Sequence, residues 1–106
     1  MSKRQDEDLI SDIKEAAKRV KSYVALMSYE KFMCDSKTQD AVVRNLEIIG
    51  EAAKNLSEAT KKKYSHIPWK NLAGVRDRLI HQYFGVNYEI VWTIVKDELP
   101  SIIMHL

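Results

Sequence analysis

A lone cysteine, Cys34, means that no disulfide can form within this 106-residue chain and that no second thiolate is available to share a metal ion. A reducing, intracellular compartment is the corresponding expectation. Net charge is scarce too. Seventeen Lys and Arg against fifteen Asp and Glu leave a formal +2, so any contact with nucleic acid must come from local clustering. Apolar residues make up 45% of the chain, yet no uninterrupted run approaches the ~20 residues that span a bilayer. The segment Met1 to Asp12 alternates charges without the apolar core of a secretory signal. A soluble, cytoplasmic protein with no membrane partner is expected. The length corresponds to a single domain, 1–106, whose modest core makes pairing with a second copy a natural source of further burial.

With only three glycines and two prolines, little interrupts the helical periodicity that fills the chain. Leu9, Ile13, Ala16, Val20, Tyr23 or Val24, and Met27 recur at three- and four-residue steps, opposite Lys14, Glu15, Lys18, Arg19 and Lys21, and predict a helix over about 6–27. Ser28 can cap a short turn over 29–34. A second long helix opens at Ser36 or Thr38 and buries Val42, Leu46, Ile49, Ala53 and Leu56. Gly50 inside it costs about 1 kcal/mol relative to alanine, which close approach of another helix would explain. Ser57 to Tyr64 reads as a short helical piece carrying Lys61, Lys62 and Lys63, either a solvated face or a phosphate contact. Pro68 suits the first turn of a third helix, over about 69–83, with Gly85 as its left-handed cap. Asn87 caps the last helix, which buries Ile94, Val95 and Leu99 and should kink or end near Glu98, ahead of Pro100. The predicted fold is all-α, an antiparallel four-helix bundle with short extra helical turns.

The segment from Val75 to Phe84 concentrates the chemistry: Arg76, Asp77, Arg78, His81 and Tyr83. Those are residue types that a ribonuclease without metal would use. Cleavage of RNA needs a base for the 2′-hydroxyl proton, an acid for the leaving 5′-oxygen and a cation for the charge that develops on the phosphorane. Histidine titrates near neutrality, and arginine presents a planar, permanently charged fork to phosphate. Projected on an ideal helix, Asp77 and His81 share a face, whereas Arg76 and His81 lie about 140° apart. A distorted helix end or a second subunit is needed to bring the latter two together. On the residues alone, a charged helix surface and a histidine placed at a helix C-terminus are the competing reading.

The string Arg76-Asp77-Arg78-Leu79-Ile80-His81-Gln82-Tyr83 resembles the R-x(4)-H-x-Y signature of HepT-type HEPN proteins. Lys37 to Val42, Leu46 to Ala53 and Ile67-Pro68-Trp69 resemble the same family in the same order, so the similarity runs from about residue 12 to about residue 100. The resemblance implies a helical homodimer that brings two arginine–histidine motifs to one cleft. It implies a metal-independent endoribonuclease acting on RNA, with Arg76 and His81 catalytic and Asp77 supporting. It also implies the toxic half of a toxin–antitoxin pair, silenced by a cognate minimal nucleotidyltransferase that transfers AMP to Tyr83. Bulk and negative charge at that tyrosine would obstruct an RNA phosphate. No cofactor and no metal is expected. The family also contains non-catalytic adaptors and nucleotide-binding partners of such nucleotidyltransferases, which is the alternative function.

Other candidates carry less. His66 and His105 have no neighbour at ligand spacing and read as surface residues; Trp69 and Trp92 read as core or interface. Glu47 and Glu51 form an i, i+4 acidic pair open to a cation or to a salt bridge, with Arg44 nearby.

Overall fold

The strongest periodicity gives the longest elements. The computed structural model describes residues 3–80 and 85–106. In it α1 (Lys3–Val24) and α3 (Ser36–Asn55) are continuous helices packed along each other. Ile13, Ala17 and Val20 of α1 and Val42, Leu46, Ile49 and Ala53 of α3 are completely buried, each large aliphatic side chain contributing about 1.5–3 kcal/mol. Between them, Ser28 accepts from the Lys31 amide and caps α2 (Tyr29–Met33). Asp35, rather than Ser36 or Thr38, caps α3, accepting from the Thr38 amide at 3.0 Å and the Thr38 hydroxyl at 2.8 Å. Gln39 is buried at this start and donates to the Phe32 carbonyl at 3.0 Å, tying α2 to α3.

The second half is built from shorter pieces. After α4 (Glu58–Lys63), capped by Ser57, come α5 (Trp69–Ala73) and α6 (Val75–Leu79). Where one helix over 69–83 is predicted, the chain turns at Gly74 and the second piece ends at Leu79. Ile80 is extended and forms an isolated antiparallel bridge with Val86, while the Asn87 amide donates to the Leu79 carbonyl at 2.7 Å. Gly85 does adopt a left-handed conformation, φ 78°, but it leads into Val86 and the bridge instead of capping the helix. Asn87 caps α7 (Tyr88–Thr93) as predicted, accepting from the Glu89 and Ile90 amides.

Pro100 neither ends the last helix nor simply kinks it. A π-helical turn, Ile94–Glu98, joins α7 to α8 (Leu99–His105), with the Leu99 amide donating to the Ile94 carbonyl. Proline has no amide hydrogen, and its ring would crowd the Lys96 carbonyl in a regular α-helix; the wider turn relieves both problems ahead of it. The all-helical class is thus borne out. Beyond α1 and α3, α7, the π turn and α8 run on as one further long helical segment, while the short pieces α5 and α6 stand where one helix over 69–83 is predicted. Among the described residues there is no strand, and no helix is long and apolar enough to cross a membrane.

Gly50 sits where α3 meets α5 and α6. A Cβ there would lie 2.5 Å from Val75 Cγ1 and 2.9 Å from the Leu72 carbonyl oxygen, so the close approach inferred from the sequence is present. At the far end of the pair, Asp6 of α1 accepts from the Ser57 hydroxyl at 2.5 Å, the Thr60 hydroxyl at 2.7 Å and the Ser57 amide at 3.2 Å, pinning α4 to α1.

Gly50→Ala is expected to destabilise the fold although alanine favours a helix by about 1 kcal/mol. Overpacking against a backbone carbonyl costs more, for a net loss of about 1–2 kcal/mol. Thermal unfolding should show a Tm lower by at least about 4 °C; an equal or higher Tm would mean that α3 and α5 are not in close contact. The hydroxyls of Ser57 and then Thr60 hold the Asp6 carboxyl below the usual carboxylate range, and the Thr38 amide and hydroxyl do the same for Asp35. A carboxyl depressed on folding stabilises above its unfolded pKa and ceases to do so as pH falls through the folded value. Urea titrations should therefore show the wild type exceeding Asp6→Asn by a constant margin above about pH 5, narrowing below about pH 4. An equal margin at neutral and strongly acidic pH would remove Asp6 from the acid response.

Candidate active site

α5 and α6 are held against α3 by Trp69, Leu72, Val75 and Leu79, all buried. Trp69 also donates its indole N–H to the Tyr64 carbonyl at 3.0 Å, a core role in line with its reading from the sequence. With Val75 and Leu79 facing inward, the three charged residues between them divide. Arg78 is half-buried and forks onto Glu98 of the π turn, Nη1 to Oε1 at 2.9 Å and Nη2 to Oε2 at 2.7 Å. Its hydrogen bonds to Glu98 hold the guanidinium more strongly protonated still. Arg78 is therefore committed to joining α6 to the C-terminal helix. Arg76 and Asp77 remain exposed, and Arg76 makes no ion pair with another described residue.

Both open onto a groove of about 520 Å³ between the start of α1, the outer face of α3 and the α5–α6 turn. Arg44, Glu47, Glu51 and Lys54 of α3 line it at three- and four-residue steps, with Asp12 of α1 across from them. Lys54 and Asp12 were not singled out from the sequence; the polar stripe running from Arg44 to Lys54 is the signal that marks the first of them. The groove holds three cations, Arg44, Lys54 and Arg76, and four carboxylates, Asp12, Glu47, Glu51 and Asp77. It is thus no basic channel along its length. Arg76 brings a fixed, planar positive charge to one end of it, suited to a single phosphate.

His81 and Tyr83 lie outside the described residues. The angles projected for them, Asp77 sharing a face with His81 and Arg76 about 140° away, assume one helix through position 81. Because α6 stops at Leu79 and Ile80 is extended, those projections do not apply. Arg76 lies in the first turn of α6, just after the chain turns at Gly74.

The remaining candidates settle into structural roles. Lys61 pairs with Glu58, and Lys63 lies over the Tyr64 ring at 5.5 Å, both surface contacts. His66 and His105 are exposed and stack on each other, ring centroids 5.2 Å apart, a contact invisible in a sequence that separates them by most of the second half. Trp92 is half-buried against Phe32 and Tyr29. Among the described residues, no group of three or more His, Cys, Asp or Glu side chains could hold a metal ion, so Glu47 and Glu51 gain no third ligand.

A family profile described as Ribonuclease HepT-like matches residues 13–106. A Thermococcus cleftensis protein named Probable ribonuclease HepT is 45% identical over 94% of this chain and 91% of its own. A Methanocaldococcus jannaschii protein, also given an RNase name, is 45% identical over 100% of this chain and 88% of its own. A Caldanaerobacter subterraneus protein with an RNase name is 51% identical over 72% of this chain and 68% of its own. No solved structure matches significantly. With an all-helical fold and a match over nearly its whole length, the chain belongs to the HepT-like ribonuclease family.

Proposed function

We propose that this protein is a metal-independent endoribonuclease, the toxic component of a cytoplasmic toxin–antitoxin pair, with Arg76 and His81 as its catalytic residues. The observation that carries the proposal is the division of labour on α6: Arg78 is clamped by Glu98, while Arg76 stands exposed at the groove with no ion pair to a described residue. An arginine kept out of the fold's own ion pairs is available to phosphate. Membership of the HepT-like ribonuclease family supports the same reading.

In this mechanism the RNA 2′-oxygen attacks the adjacent phosphorus, His81 taking its proton, and the bond from phosphorus to the 5′-oxygen breaks. A second histidine, or His81 after proton exchange, protonates the departing oxygen. Arg76 faces the charge that builds on the phosphorane oxygens. The products are a 2′,3′-cyclic phosphate and a free 5′-hydroxyl, and the need for a 2′-hydroxyl restricts the substrate to RNA. Asp77 supports the site by orienting His81 or Arg76. The carboxylates of the groove repel phosphate, so a single chain is a poor RNA channel. A homodimer that sets two Arg76–His81 pairs facing each other supplies the missing positive field. A cognate minimal nucleotidyltransferase silences the enzyme by transferring AMP to Tyr83, adding bulk and negative charge two residues along the chain from His81.

One exposed guanidinium at the groove suits a single phosphate better than a polynucleotide backbone, and this favours one second reading, a non-catalytic HEPN adaptor that holds a nucleotide for its nucleotidyltransferase partner. Nuclease-free protein without AMP on tyrosine, incubated with total RNA and EDTA, separates the two. Cleavage leaving 2′,3′-cyclic phosphate ends is expected, reduced about 10²–10⁴-fold by His81→Ala and by Arg76→Ala. Arg78→Ala should lower the Tm without a comparable loss at the catalytic step. Equal cleavage by wild type and His81→Ala, or none by the unmodified protein, removes the ribonuclease reading.

A further inference from the structure

The most apolar concavity lies away from Arg76, along the seam between α1 and α8. It has a volume of about 680 Å³ and is floored by Val20, Val24, Val95 and Leu99, with Ile103 and Met104 on one wall. Leu26, fully exposed, and Met104, 77% exposed, stand at its edge, an arrangement that a solvated surface does not reward. A smaller hollow shares Ile103 and continues the seam toward the start of α1.

The rim is of one sign. Lys21 and Lys96 line the larger hollow and Lys14 and Lys18 the smaller, and no acidic side chain lines either among the described residues. Lys14, Lys18 and Lys21 form a stripe on α1, and none of the four lysines makes an ion pair with a described carboxylate. Lys96 is held in place over the Trp92 ring, 4.6 Å from its centroid, so its ammonium is presented rather than free to swing away.

These features constrain the occupant. Along α1 the seam from Lys14 to Val24 is about 15 Å long, the length of a helix of roughly three turns. A second copy docked on the same face by two-fold symmetry would place this lysine stripe against its own image. A bilayer offers a plane, whereas the apolar surface is recessed between two helices. From this geometry we infer that the α1–α8 seam is the docking groove for an amphipathic helix of a protein partner, one whose apolar face is flanked by Asp and Glu. The anchors would be side chains at i, i+3, i+4 and i+7, with acidic flanks meeting Lys14, Lys18, Lys21 and Lys96. This inference is independent of the catalytic reading.

Two synthetic helical peptides test it, sharing one Leu/Ile face and differing only in Glu or Lys flanks, with binding to the full chain read by fluorescence anisotropy. The Glu-flanked peptide is expected to bind at least about tenfold tighter at low salt and to weaken as salt rises. Leu26→Asp with Met104→Asp should weaken it at least about tenfold while leaving the thermal melt unchanged, since both side chains are exposed. Charge reversal at Lys18, Lys21 and Lys96 to Glu should transfer the preference to the Lys-flanked peptide. Equal or absent binding of the two peptides, indifference to these substitutions, stronger binding to anionic phospholipid vesicles than to the Glu-flanked peptide, or a dimer dissociated by Leu26→Asp would each overturn it.

Discussion

The contact that the rest of the molecule depends on is the absence of a side chain at Gly50. With Val75 Cγ1 and the Leu72 carbonyl sitting in the space that a Cβ would occupy, α3 carries α5 and α6 directly on its surface. α1 packs on another side of the same helix, and α2 and α7 reach it as well. α3 is thereby the wall shared by α1, α2, α5, α6 and α7. The groove at Arg76 exists because α5–α6 approach α3 closely at Gly50 while the polar stripe from Arg44 to Lys54 runs past that point.

One consequence is that the arginines of α6 are sorted by packing and not by their own chemistry. Val75 and Leu79 fix the orientation of a five-residue helix, and whichever basic residue then points toward the C-terminal helix meets Glu98. A bidentate, half-buried arginine–carboxylate pair is costly to open, because removing one partner strands the other charge. The exposed arginine bears no such obligation. A clamped cation and an exposed one thus stand two positions apart on one short element.

The long helices were legible because an amphipathic stripe over twenty residues leaves few alternatives, and so were the caps at Ser28 and Asn87, whose side chains act on amides close by in the chain. The two interior glycines show the limit of such reading. Gly50 and Gly74 have the same helix propensity, yet α3 passes straight through the first and the chain breaks at the second. What differs is tertiary: Gly50 lies in a long helix buried on several sides, whereas the short segment around Gly74 must both start after Pro68 and deliver Val75 against α3. The chemical types at the site were visible in the order Arg76, Asp77, Arg78. Their separate fates were not, since Glu98 lies twenty residues from Arg78.

The π turn at Ile94–Glu98 amounts to one extra residue absorbed within a continuous helix, leaving the helices on either side in their places. Chain length and proline content are thereby linked at this point. A family member one residue shorter in the turn could bring its last helix to the same position as an ordinary α-helix, provided that it also lacked Pro100. One that lost the residue but kept the proline would set the ring against the preceding carbonyl. Gaps in an alignment of such sequences should therefore fall together with the loss of this proline, and Glu98, the partner of Arg78, would mark the column where the register resumes.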